Sequence, residues 1–287
     1  MRATVLGTGA AMPVAGRAQS GVLVAVGDRR VLVDCGAGVL ERLASAGRRG
    51  SATVEATGAD AARDGPPVWE TLDAVLLTHH HLDHVADLLS LLKARWLADA
   101  DPLTVAGPPG TGDLLDTLLR AHDYLAGRLA YAVETVALDA PTTVAGVAVD
   151  ARVTGHSARS RAYRLRPADG GGAPNDDPGA APESGRQSLV VTGDTPADPD
   201  LAAWANGADV LLHDCAFPDE VDVSNHPTPS ALGAALAGND YGRVLLTHLY
   251  PPAARDTDAL VAGVADAYDG RVSVATDGQT VRVRDAR

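Results

Sequence analysis

Six consecutive residues constrain this chain more than any other stretch: His79-His-His-Leu-Asp-His84. Within them, His79, His81, Asp83 and His84 follow the spacing His-x-His-x-Asp-His. The preceding run Asp73-Ala-Val-Leu-Leu77 reads as a short buried strand. Val85, Leu88, Leu89 and Leu92 then recur at helical spacing and predict a helix from Asp83 to about Leu97. The histidines therefore sit on a strand-to-helix turn. Such a turn can converge His79 and His81 on one cation and leave Asp83 and His84 for a neighbouring position. Imidazole with carboxylate suits zinc or a similar divalent ion. The alternative is a solvated polar turn, but so dense a cluster, with further ligand types downstream, favours metal.

Those further ligand types lie just beyond apolar runs. His156 follows Val153-Thr-Gly, Asp194 follows strand 188–192 in Thr192-Gly-Asp-Thr195, and His248 follows strand 243–246. Asp194 reads either as a bridging carboxylate or as the N-cap of the next helix. Asp34, at a strand end before Cys35-Gly36, reads equally as a turn cap or as an acceptor supporting the histidine turn. His122 lies in a helix expected over 111–125 and reads as a surface residue.

Here the chain resembles the metallo-β-lactamase fold, whose signature is this histidine turn followed in order by residues matching His156, Asp194 and His248. The Leu6-Gly-Thr-Gly9 opening looks like that of the ribonuclease Z branch. The resemblance implies an α/β (α+β) four-layer αβ/βα sandwich with two divalent metal ions, Zn2+ foremost and Mn2+ or Fe2+ as alternatives. His79, His81 and His156 would bind one ion, and Asp83, His84 and His248 the other. Asp194 would bridge them, with a hydroxide held between the ions as nucleophile and Asp83 also able to orient it.

Two further residues follow from the same branch. Its His-Glu-Ala-Thr-Phe segment is matched by His213-Asp-Cys-Ala-Phe217, which puts Asp214 in the place of the glutamate that supports a late histidine. That histidine is matched by His226 in His226-Pro-Thr228, implying a proton donor or phosphate-oxygen contact. The competing readings are a helix-capping His226 and a core His213. Two departures stand out. Leu82 replaces a glycine common in the turn, and only the short acidic loop 167–187 stands where the branch carries a long tRNA-binding arm. The expected substrate is thus an RNA or small-nucleotide phosphodiester. The rivals are an ester, thioester or lactone hydrolase on the same metals, and a non-catalytic binding protein of the same fold.

Composition narrows the setting. The net charge is −13, with aspartate outnumbering glutamate 31 to 6 and Lys93 the only lysine among 24 basic residues. That balance keeps a protein soluble at high salt and opposes tight non-specific nucleic-acid binding. Two cysteines, Cys35 and Cys215, exclude a disulfide scaffold, read as buried thiols and favour a cytoplasmic location. No apolar run reaches membrane-spanning length, and the N-terminal segment reads as a strand too short for a signal peptide. Alternating strands and helices predict one domain over 1–287, with flexible insertions near 47–67 and 167–187, and the resemblance implies a homodimer.

Overall fold

The computed structural model describes residues 1–46, 66–138, 140–157, 159–168, 187–221 and 223–283. Most of the two expected insertions lies outside the described residues. The first half of the chain supplies β1 (Arg2–Gly7), β2 (Gly21–Val26), β3 (Arg29–Val33), β4 (Ala74–Leu76), β5 (Leu103–Gly107) and β6 (Tyr131–Thr135). The second half supplies β7 (Thr142–Val144), β8 (Val147–Val153), β9 (Arg161–Pro167), β10 (Leu189–Val191), β11 (Val210–Asp214), β12 (Val244–Thr247) and β13 (Val272–Val274). The last strand, β14 (Thr280–Arg282), returns to the first sheet beside β1. The sheets have the orders β14-β1-β2-β3-β4-β5-β6 and β13-β12-β11-β10-β9-β8-β7.

These sheets stack because their strands carry apolar residues on both faces, as sheets covered on both sides must. Val24, Val31 and Leu76 of one sheet meet Val149, Tyr163, Leu165 and Leu212 of the other in a shared core. The opposite faces are covered by helices. α1 (Val39–Ala46), α2 (Leu82–Val85), α3 (Leu88–Leu97) and α4 (Thr111–Ala121) follow strands of the first sheet, and Leu43, Leu88, Leu91 and Leu115 pack on Leu32, Val75 and Leu77. α5 (Pro199–Ala205), α6 (Pro229–Leu236), α7 (Pro251–Ala254) and α8 (Thr257–Ala265) follow strands of the second, and Ala202, Leu232, Leu236 and Val264 pack on Leu211, Val244 and Leu246. The result is the expected helix–sheet–sheet–helix sandwich. Both cysteines are buried and unpaired.

Strand direction positions the site. β3 and β4 run parallel, as do β10, β11 and β12, so their C-terminal ends share one edge of each sheet. Ligands of open α/β sheets bind at such edges.

Several element boundaries differ from the sequence reading. The helix expected from Asp83 to Leu97 is two helices, with Asp87 as the N-cap residue of α3. Its carboxylate is committed elsewhere, accepting from Leu40 N at 3.0 Å. The helix expected over 111–125 ends at Ala121 and continues as a 3-10 turn, Asp123–Leu125. The strands expected at 144–149 and 151–154 form one strand, β8, joined to β7 by Ala145-Gly146, both at positive φ. The helix expected from about Arg255 to Tyr268 spans Thr257–Ala265, with Asp256 capping it by accepting from Ala259 N, and the short α7 precedes it. The helix expected after Asp194 is α5, and its cap is Asp198, which accepts from Asp200 N and Leu201 N. Asp194 is therefore not that cap.

Candidate metal centre

The loops leaving β4, β8, β10 and β12 deliver the histidines and aspartates to one place. His79, His81, His156 and Asp194 each offer a ligand atom within 4.8 Å of the others, and so do Asp83, His84, Asp194 and His248. These are the two sets that the family resemblance implied, with Asp194 common to both. Asp194 is buried at the centre. One of its carboxylate oxygens lies 3.6 Å from His79 Nε2, 3.6 Å from His156 Nε2 and 3.3 Å from His248 Nε2. The other lies 3.2 Å from His84 Nε2. Asp83 Oδ2 is 3.8 Å from both His84 Nε2 and His248 Nε2.

The other ring nitrogens explain why Nε2 is the one offered. His84 Nδ1 donates to Asp34 Oδ2 at 2.8 Å, and His156 Nδ1 donates to the Asn225 carbonyl at 3.1 Å. His79 Nδ1 lies 3.1 Å from Thr78 Oγ1, and His248 Nδ1 lies 3.2 Å from Ser20 Oγ. A histidine whose Nδ1 proton is engaged presents an unprotonated Nε2, the tautomer a metal needs. His81 uses the other nitrogen: its Nδ1 faces His156 Nε2 at 3.1 Å.

Asp34 supports the turn as an acceptor, one of its two sequence readings. Besides His84 it accepts from Thr78 N and Thr78 Oγ1, each at 2.8 Å. Two glycines allow the close approach. A Cβ on Gly36 would sit 2.1 Å from the Asp83 carbonyl oxygen, and one on Gly193, at φ +57°, would sit 2.8 Å from Thr78 Cβ. Asp34 and His248 themselves adopt positive φ, 60° and 62°. Such strain in non-glycine residues costs about 1–3 kcal/mol and concentrates at functional sites.

The donor set fits two cations. His79 Nε2 and His248 Nε2 are buried and have no hydrogen-bond partner among the described residues. Unsatisfied buried polar atoms are costly, and a cation would satisfy both. Burial, then the neighbouring His84, holds His79 well below its usual pKa, while burial pushes His248 down to about 4. Both are thus neutral, as ligands must be. His84 behaves differently: burial opposes its charge, but Asp194 and Asp34 together hold its pKa above the usual value, so a cation taking Nε2 would displace a proton there.

Next to this cluster, Asp214 at the end of β11 accepts from His226 Nδ1 at 2.7 Å, with both residues buried. The His226 ring lies 4.7 Å from that of His156 and 5.4 Å from that of His248, nearly parallel to the latter. Burial raises the Asp214 carboxyl to about 7. Burial also opposes a charge on His226, yet its hydrogen bond to Asp214 raises its pKa. His226 does not cap α6, whose cap residue is Thr228. His213 is the core residue: it is buried, its Nδ1 donates to the Asp214 carbonyl at 2.7 Å, and burial lowers it to about 4. His122 is exposed, away from the cluster.

Sequence reasoning missed Thr78, Ser20 and Asn225. Thr78 adjoins the motif and was legible by position. Ser20 reaches the site only through folding, and Asn225 acts through its backbone, which leaves no side-chain signature.

A family described as the beta-lactamase superfamily domain matches residues 29–249. The ribonuclease Z of Mycobacterium bovis (strain BCG / Pasteur 1173P2) is 31% identical over 308 aligned residues, covering 99% of each chain. Among solved structures, the metallo-beta-lactamase fold protein YhfI from Bacillus subtilis superposes with a TM-score of 0.71 at 24% identity, covering 98% of this chain and 99% of that one. The short form of human tRNase Z gives 0.69 at 19% identity, covering 99% of each. These two likenesses speak for the fold.

Proposed function

Because the chain belongs to the beta-lactamase superfamily and to its ribonuclease Z-like branch, we propose that its clustered histidines and aspartates perform that branch's chemistry. The protein is a metal-dependent phosphodiesterase of the ribonuclease Z type. In this reading His79, His81 and His156 hold one divalent ion, and Asp83, His84 and His248 hold the second, with Asp194 shared. Zinc suits the nitrogen and oxygen donors best, with Mn2+ or Fe2+ the alternatives. When bound, two such ions polarise a phosphoryl group and acidify water at neutral pH.

The chain's own residues do the rest. Asp83 serves as ligand and orients the attacking oxygen. His226, its Nδ1 fixed by Asp214, keeps Nε2 free to donate a proton to the departing ester oxygen. The buried Asp214–His226 pair beside the ligand cluster is the observation that carries this reading, since a metal hydrolase without a leaving-group acid has no use for it. Its closeness to the rings of His156 and His248 supports that role.

The substrate is an RNA or nucleotide phosphodiester, cleaved endonucleolytically when it is RNA. The mycobacterial relative is named ribonuclease Z, which supports RNA. The charge of −13 favours a substrate held by specific contacts over one gathered by a general basic surface. A single domain over 1–287, a homodimer and a cytoplasmic location belong to the same proposal. Free buried cysteines and the absence, among described residues, of a helix long and apolar enough to cross a membrane agree with the last.

The test is hydrolysis of a ribonucleotide diester, whose ribose alkoxide leaving group needs protonation, by wild type and His226→Ala, with metal content measured for both. The expected result is a loss in kcat of about 10²–10³ with the metal content retained. An unchanged rate removes His226 from the mechanism and favours an ester, thioester or lactone hydrolase.

A further inference from the structure

The chain is poor in aromatic residues and has a single phenylalanine, Phe217. That residue stacks on Tyr250 beside the metal-ligand cluster, with ring centroids 4.5 Å apart and planes 21° from parallel. The pair flanks His226: the Phe217 ring lies 5.9 Å and the Tyr250 ring 6.0 Å from the imidazole, both nearly edge-on. Tyr250 also stands 5.9 Å from the ring of His248. The backbone fixes this arrangement. Phe217 follows β11 and Tyr250 follows β12, and Tyr250 N donates to the Ala216 carbonyl at 3.2 Å. Pro251 and Pro252 then open α7 directly after Tyr250 and hold its φ and ψ.

Core packing does not account for the pair. Leu249, between His248 and Tyr250, is completely buried and fills the core beneath the outer helices. Phe217 and Tyr250 are only partly buried, on the side of the cluster occupied by the Asp214–His226 pair. A partly exposed stacked pair beside a leaving-group acid offers a flat surface to whatever the ester oxygen carries. Base–aromatic stacking is strong and tolerant of sequence because every base has a π-face.

We infer that Phe217 and Tyr250 form a stacking wall for a nucleobase of the substrate, next to the scissile ester. This rests on the phosphodiesterase reading of the adjoining cluster and narrows it to nucleotide esters over phosphodiesters without a base. Tyr250 is the residue nearer the ligand cluster and Phe217 is its backing.

Calorimetric titration of the purified protein with AMP and with ribose 5-phosphate tests the wall without turnover, since the two compounds differ only in the adenine. AMP is expected to bind about tenfold more tightly. In Tyr250→Leu the two should bind alike, and in Tyr250→Phe, which keeps the ring, the preference should persist. Equal affinities in wild type, a preference that survives Tyr250→Leu, or no binding of either compound would overturn the inference. Should bis(p-nitrophenyl) phosphate prove inert while the Tyr250-dependent preference for AMP holds, the phosphodiesterase reading fails and the wall stands.

Discussion

In the proposed metal site, His79, His84, His156 and His248 each have a partner at Nδ1 that fixes the tautomer. Asp34 shows this most clearly, since its carboxylate ties His84 Nδ1, Thr78 N and Thr78 Oγ1 into one buried knot. Asp34→Ala should lower metal affinity by about 10–100-fold, read by competition with a chromogenic chelator, while leaving the metal's direct ligands intact. Unchanged affinity would mean that the turn is held by its glycines and backbone alone. At this scale the sequence was most legible, because ligand chemistry is written in residue type. His79, His81, Asp83, His84, His156, Asp194 and His248 could all be named from it. The orienting partners could not, because a serine such as Ser20 or a carbonyl such as that of Asn225 acquires its role only from the fold.

Elements place these residues through strand direction. His79 and Asp194 face each other because β4 and β10 end at the same edge of two stacked sheets. Apolar runs announced the strands, but helix breaks were harder to read. The α2–α3 boundary follows no glycine or proline: Cys35 draws the chain in, accepting from Asp87 N at 3.0 Å while its own N donates to the His84 carbonyl. That contact crosses some fifty residues of sequence, so local periodicity carries no trace of it. The helix after Asp194 starts four residues later than a cap at Asp194 would put it, at the start signal Asp198-Pro199. Asp198→Ala should cost about 1 kcal/mol in urea unfolding, the usual loss for an N-cap. A loss too small to measure would show that α5 is held by packing of Leu201 and Ala202 alone.

For the molecule as a whole, folding gathers carboxylates and imidazoles that cannot all satisfy one another. The orphaned Nε2 atoms of His79 and His248 are the cost, and the proposed cations would offset it. Metal loading should therefore stabilise the native state by about 4 kcal/mol at a thousandfold excess over Kd, or on the order of 10 °C in Tm. A scan with and without chelator checks this, and identical transitions would contradict it. The net charge of −13 adds self-repulsion, so moderate salt should raise Tm in both states.

The most direct test of the central claim is metal content measured together with bis(p-nitrophenyl) phosphate hydrolysis, in wild type and His81→Ala. The account predicts about two divalent ions per wild-type chain and turnover that disappears in the variant. Wild-type protein that carries no metal after purification and takes up none on addition would contradict it.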